Sequence, residues 1–353
     1  MRIAILAHEK FPHRAKTGLG VLRYTDDEVV AVLDRDNAGR RVAEFVPDVQ
    51  DAPIVESMAD IVGRDHGRGQ NQDQYRNRDI DALLIGISPI GGAFDESWRA
   101  DVRTALEAGC DVISGLHYFL GEDEEFAALA DEHGCEIRDV REPPAGLSVS
   151  EGIADEVSAE VVLTVGTDCS VGKLTTTMEL ARAAGEAGHD AAVIPTGQTG
   201  IMIEGWGNPI DRVVSDFTAG AVEEMILEKG DEHDYLFVEG QGSIVHPAYS
   251  GVTAGILHGS MPDRLVLCHA AGTEVIHGYE SFDLPPIEAY VERYESFAQP
   301  VHETEVVAGA LNTAHLESDA DARAALDEFA TAIDAPATDV VRFGADEILD
   351  TVI

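Results

Sequence analysis

Lysine is nearly missing from this chain. Only Lys10, Lys16, Lys173 and Lys229 occur in 353 residues that carry 66 acidic side chains, and the net charge is −42. No basic patch or stripe exists to neutralise a phosphate backbone, which argues against nucleic-acid binding. Low hydrophobicity is missing as well. With 44% hydrophobic residues the chain is folded, and its charge is a solvated acidic coat rather than a mark of disorder. Such a coat with so few lysines suits molar salt, where a Debye length of about 3 Å screens self-repulsion. The expectation is a halophilic, cytoplasmic protein. Cysteine is scarce: Cys110, Cys135, Cys169 and Cys268 form no C-x-x-C and no metal-type spacing with histidine, and they read as reduced thiols. No apolar run approaches the ~20 residues that span a bilayer, and MRIAILAHEK is a strand followed by charge rather than a signal peptide. No membrane partner is expected.

What is present centres on Val161–Thr177, VVLTVGTDCSVGKLTTT. Apolar residues lead into Gly166, a turn follows, then Gly172 and Lys173, then threonines that open a helix. Backbone N–H groups of such a loop converge on an anion, the helix N-terminus adds partial positive charge, and the lysine reaches a phosphate oxygen. A strict Walker A reads G-x-x-x-x-G-K-[ST]. Here the glycines bracket one residue more, and Leu174 stands where Ser or Thr follows the lysine. The loop therefore carries the donors and lysine of a phosphate cradle and departs from the magnesium-bound nucleotide pattern at Leu174.

Along the rest of the chain, strands alternate with helical segments, the pattern of parallel α/β sheets. Strands are expected at Arg2–Ala7, Val29–Leu33, Ala82–Ile87, Asp111–Ser114 and Cys135–Val140, with helices at Trp98–Ala108 and Asp123–His133. The segment HEKFPHRAKTGLGVLRY is too irregular to assign as a helix, and the polar region from Val62 to Arg78 reads as an exposed loop. The linker Arg141–Gly146, with its paired prolines, divides residues 1–142 from 143–353. The second half places strands at Ala191–Ile194, Tyr235–Val238, Leu265–Cys268, Val306–Leu311 and Val340–Arg342. Its helices fall at Thr175–Ala187, Asp216–Glu228, Pro285–Phe297 and Ala320–Ile333, with a last helix beginning in Gly344–Ile348. The fold class is α/β, with two doubly wound domains.

Several residue groups suggest chemistry. Glu239 ends a strand in VEGQGSIVHPAYSG, placed to hold a metal or act as a base, with His246 a few residues on as a second candidate base and Tyr249 beyond it. Asn312, at the end of a late strand, can read a purine edge because an amide both donates and accepts. Lys16, Arg23, the Gly91-Gly92 turn, His117 and Gln198 in PTGQTG are candidates for substrate contacts, the glycine turn as a second anion site.

The motifs G-T-D-x-x-V-G-K at Gly166–Lys173 and V-E-G-x-G at Val238–Gly242, followed by Asn312, resemble dethiobiotin synthetase and its P-loop relatives. That resemblance implies a glutamate on magnesium and an asparagine on adenine. A fuller match runs through AKTGLGVLRY, GISPIGG, ISGLHYFL, GTDCSVGKLTTT and EGQGSIVHPAYSGVT. Over nearly its whole length the chain resembles the D-glutamate N-acetyltransferase-like family, once called a domain of unknown function. The resemblance implies a Rossmann-like first domain, a P-loop second domain, and acetyl transfer from acetyl-CoA to the amine of an acidic D-amino acid.

Three functions follow from these residues. In the first, Gly166, Thr167, Asp168, Ser170, Val171, Gly172, Lys173, Leu174 and Thr175 cradle the phosphates of acetyl-CoA without a metal, Asn312 reads adenine, and His246 or Glu239 is the base, with Lys173 a candidate oxyanion donor. In the second, an ATP-dependent ligase, Lys173 neutralises the β,γ-phosphates while Thr175 and Glu239 surround magnesium. The third is a non-catalytic nucleotide sensor. One helical residue rotates the side chain by ~100°, so Thr175 is no simple substitute for a hydroxyl at 174, and this favours the first. A homo-oligomer is the expected assembly.

Overall fold

The computed structural model describes residues 1–62, 80–89 and 92–353, which leaves Gly91 and nearly all of the Val62–Arg78 region outside the described residues. The chain divides into two compact units. The first is Met1–Glu142 with Ile201–Gly205, and the second is Pro143–Gly200 with Trp206–Ile353.

In the first unit the elements are β1 (Arg2–Leu6), α1 (Lys16–Tyr24), β2 (Glu28–Leu33), β3 (Ile54–Val55), β4 (Ala82–Ile85), α2 (Arg99–Glu107), β5 (Asp111–Ser114), α3 (Glu124–His133) and β6 (Ile137–Asp139). The sheet is parallel, in the order β3-β2-β1-β4-β5-β6. Its order reverses at β1, as in a doubly wound sheet. Helix α1 corrects the irregular reading of that segment. Its glycines are there for proximity: a Cβ on Gly18 would stand 3.1 Å from Ile5 Cγ2, and one on Gly86 would stand 3.1 Å from Gly18 Cα. Gly18 N–H donates to Gly86 O at 2.8 Å, so the helix meets the strand end backbone to backbone. Asp123 caps α3 through the N–H groups of Glu125 and Phe126, as its position before the helix implies. Just past β1, buried His8 meets Asp101 of α2 at 3.0 Å, and Asp101 also accepts from Met58 N–H.

The second unit carries β7 (Glu160–Gly166), α4 (Lys173–Glu186), β8 (Ala191–Ile194), the first residues of α5 (Gln198–Glu204, whose residues from Ile201 on belong to the first unit), α6 (Thr218–Lys229), β9 (Tyr235–Val238), α7 (Ser250–Ser260), β10 (Arg264–Ala270), β11 (Val275–Ile276), β12 (Tyr279–Asp283), α8 (Ile287–Ala298), β13 (Glu305–Asn312), α9 (Asp319–Ile333), β14 (Ala337–Thr338) and α10 (Asp346–Val352). Six strands form a parallel sheet, β14-β13-β10-β7-β9-β8, and β11 pairs with β12 as an antiparallel hairpin. Residues 161–166 of β7 are all buried, as a central parallel strand covered on both faces requires. The expected strand at Val340–Arg342 is a turn instead. Asp339 Oδ1 accepts the N–H groups of Val341 and Arg342 and curls the chain back on itself. The hairpin and helices α5 and α7 are additions to what the sequence suggested.

Candidate functional site: a phosphate loop at the carboxyl end of the second sheet

Strand β7 lies between β10 and β9, so the loop that leaves it opens at the carboxyl edge where ligands of parallel sheets collect. Ser170 and Gly172 carry positive φ, 57° and 111°, and turn the loop toward α4. Among the described residues, no protein acceptor meets the N–H of Ser170 or Gly172. A 14-residue helix begins directly behind them. These are the donors and the dipole that a phosphate group uses.

Lys173 folds back across the loop, its Nζ donating to Asp168 O and Gly242 O, each at 2.8 Å. Glycine at 166 makes room for it, since a Cβ there would sit 2.9 Å from Nζ. Behind the loop, Thr164 of β7 bonds to Thr177 of α4 at 2.9 Å and accepts Gly240 N–H at 3.1 Å, tying strand, helix and the VEGQG turn together. Tyr294 of α8 adds a second brace: its hydroxyl donates to Gly166 O at 2.7 Å and accepts Ile244 N–H at 3.1 Å. Burial pushes this phenol up to about 12, so it stays protonated while bracing the loop.

The Asp168 side chain meets three other groups. Oδ1 accepts Cys169 N–H, Oδ2 accepts His277 N–H from the turn of the β11–β12 hairpin, and Oδ1 lies 3.8 Å from His246 Nε2. Thr167 Oγ1 is 2.8 Å from His269 Nδ1, and burial pushes that imidazole down to about 4.

His246 Nδ1 accepts the N–H groups of Ala248 and Tyr249 at 3.1 and 3.2 Å. Burial lowers its pKa against the opposing pull of Asp168 and the His277 backbone, which keeps the ring neutral. The one proton of that neutral ring then sits on Nε2. A base needs a lone pair at the nitrogen facing the reaction, so this geometry gives His246 a donor's role in place of the base expected from sequence. Asp168 Oδ1, Cys169 Sγ and His246 Nε2 lie within 4.8 Å of one another. They form a poor metal set, because a ligating imidazole donates from its other nitrogen and this one accepts there.

Glu239 is buried, and its Oε2 accepts Thr196 and Gly197 N–H at 3.2 and 3.0 Å. A Cβ on Gly200 would stand 2.5 Å from Glu239 Oε2 and 3.4 Å from Leu174 Cδ1. The leucine and the carboxylate thus both approach Gly200, and Leu174 stands at the position where a strict Walker loop carries its magnesium-binding hydroxyl. Thr175 is half-buried one position on. Asn312 is exposed at the end of β13, with Oδ1 accepting Ala314 N–H at 3.0 Å, so its amide offers Nδ2 as a donor.

The remaining candidates are divided between the units. Exposed Lys16 opens α1 and Arg23 lies in its last turn. Gly92 and His117 meet in the first unit. Gly92 N–H donates to Pro89 O, and its carbonyl accepts His117 and Tyr118 N–H. With φ of +63° and a Cβ position 2.3 Å from His117 Cδ2, this glycine lets the two loops touch; Gly91, the other half of the expected anion-binding turn, lies outside the described residues. In the second unit, Gln198 begins α5, and exposed Tyr249 lies with its ring 4.7 Å from that of His246. Sequence reasoning missed His269, His277 and Tyr294; nothing in their local pattern marks them, because each reaches the loop from a distant element.

Comparison with known proteins agrees with this architecture. A family model described as the DUF1611 N-terminal Rossmann-like domain matches residues 35–143, and one described as the DUF1611 C-terminal P-loop domain matches 148–349. A protein of Tritonibacter scottomollicae named D-glutamate N-acetyltransferase is 36% identical over 269 residues, 76% of this chain and 80% of that protein. One of the same name from Pseudoalteromonas is 34% identical over 268 residues, again 76% and 80%. The crystal structure of a DUF1611 family protein from Anabaena variabilis superposes with a TM-score of 0.90 at 39% identity, covering 99% of this chain and 98% of that one. The chain belongs to the DUF1611 family, a Rossmann-like domain followed by a P-loop domain.

Proposed function

We propose that this protein is an N-acetyltransferase that moves the acetyl group of acetyl-CoA to the amine of an acidic D-amino acid, D-glutamate or a close analogue. The acceptor rests on the two relatives of that name. The observation that favours acetyl-CoA over ATP is Leu174. The loop keeps its phosphate donors and its lysine, while the place of the magnesium-binding hydroxyl holds a buried apolar side chain. CoA brings phosphates that need gripping and chemistry that needs no metal.

In the reaction, the unprotonated amine attacks the thioester carbonyl, the C–S bond breaks, and the CoA thiolate takes up the proton that the amine releases. An extended pantetheine arm of about fourteen bonds carries the thioester roughly 15 Å from the pyrophosphate. Groups that touch the phosphates therefore serve binding: Lys173 by charge, the Ser170 and Gly172 N–H groups by direction, and His246 Nε2–H as a neutral donor. Glu239 holds the 196–197 turn against the loop. Lys16 and Arg23 are the candidate cations for the acceptor's carboxylates.

The reading is tested by incubating the protein in high salt with acetyl-CoA and a panel of amino acids, with and without ATP and magnesium. Release of free CoA with D-glutamate and no ATP is the expected result. Strict dependence on ATP would favour the ligase alternative, with Thr175 and Glu239 on magnesium, and absence of any turnover would favour the sensor.

A further inference from the structure

The phosphate loop has exposed aromatic surface beside it. Asn312 ends β13, separated from β7 by β10. On the opposite side, His246 and Tyr249 follow β9. The β11–β12 hairpin leaves β10 but is drawn to the loop by His277 N–H on Asp168 Oδ2 at 2.6 Å. Its Tyr279 ring meets His246 edge-on at 5.2 Å, and Phe282 lies 6.4 Å from Tyr279. Tyr249, Tyr279 and Phe282 are 49%, 37% and 51% exposed, and every residue of β12 is exposed. Two exposed tyrosine rings thus flank one buried histidine, with exposed Phe282 next to Tyr279, on a surface otherwise dominated by acid. Exposed apolar surface gathered at a polar site is what a ligand covers.

The order across the sheet is an amide suited to a purine, then the phosphate donors, then the aromatic rings. ATP has an organic group on one side of its phosphates only. CoA has one on each: adenosine on one side, the pantetheine arm on the other. We propose that Tyr249, Tyr279 and Phe282 receive the pantetheine arm where it leaves the pyrophosphate, with the adenosine on the Asn312 side. The arm's gem-dimethyl carbon stands about two bonds from the phosphate oxygen, on the side where Tyr249 and Tyr279 pack on His246 and the hairpin is tied to Asp168 through His277 N–H. Tyrosine hydroxyls offer partners to its amides. The inference rests on the reading of the loop as a holder of CoA phosphates, and it adds which side of the loop faces the acyl-bearing arm.

Calorimetry in high salt with a chelator, using CoA, 4′-phosphopantetheine and ADP as probes, tests it. All three side chains are exposed, so Tyr279→Ala and Phe282→Ala should fold. Either substitution is expected to weaken CoA and phosphopantetheine about tenfold and to leave ADP within about twofold. An equal loss for ADP would make the hairpin a nucleobase platform or a mere support, and no loss for CoA would leave the arm elsewhere; either result overturns the proposal. Lys173→Ala separates the two levels. If it weakens neither ADP nor CoA, the phosphate reading itself fails and the placement of the arm falls with it.

Discussion

Two backbone N–H groups, from Ala248 and Tyr249, hold the proton of neutral His246 on Nε2, and this alters what its substitution should do. His246→Gln is expected to raise KM for acetyl-CoA several-fold while the pH dependence of kcat/KM keeps its shape. Loss of the acid limb in that profile would restore the role of base. His269 makes a separate prediction about stability. Its folded pKa is depressed by burial, from 6.5 to about 4. The unfolded chain takes up a proton as pH falls through about 6.5, whereas the folded ring refuses it until about 4. The stability tied to this residue is therefore complete above pH 6.5 and declines toward pH 4, by on the order of 3 kcal/mol. Denaturant titrations of His269→Gln should show a shallower decline than the parent across that window. A parallel decline would put the titrating group elsewhere.

At the scale of elements, glycine decides both what could be read and what can be changed. Helix α7 was hidden because Gly251, Gly255 and Gly259 lower its helix propensity. Two of these glycines make the contact with α6: a Cβ on Gly255 would stand 2.5 Å from Thr218 Oγ1, and one on Gly259 would stand 2.3 Å from Ala219 O. The same reasoning explains α1, where Gly18 disguised a helix that touches β1 and the end of β4. Strands such as Asp111–Ser114, Ala191–Ile194 and Tyr235–Val238 were legible to the residue, because buried parallel strands are short apolar runs with clear ends. The phosphate loop was legible for the same local reason. Its braces, from Tyr294, His269 and His277, were not, since each joins residues about a hundred positions apart. Two substitutions test this account of the glycines. A Cβ on Gly240 would sit 1.7 Å from Thr164 O, so Gly240→Ala should cost more than about 3 kcal/mol or prevent folding. Gly251, in the first turn of α7, faces open space, and Gly251→Ala should be neutral or stabilising by up to about 1 kcal/mol. Equal melting temperatures for the two variants would contradict the packing argument.

For the whole molecule, the charge of −42 on four lysines sets the conditions of every measurement. Removing salt lengthens the Debye screening from about 3 Å at 1 M to about 30 Å at 0.01 M, and the acidic coat then repels itself. The melting temperature is expected to fall steadily as KCl is withdrawn, and a rise would contradict the halophilic reading. Function at this scale turns on whether the loop at Gly166–Lys173 holds a carrier cofactor without a metal. The direct test is calorimetric titration of acetyl-CoA into the protein in high salt with a chelator present, repeated with Lys173→Ala. The account predicts binding that the chelator does not alter and that the substitution weakens by roughly 10- to 100-fold, the worth of a charge-assisted hydrogen bond. Binding that appears only with ATP and magnesium, or acetyl-CoA affinity indifferent to Lys173, would contradict it.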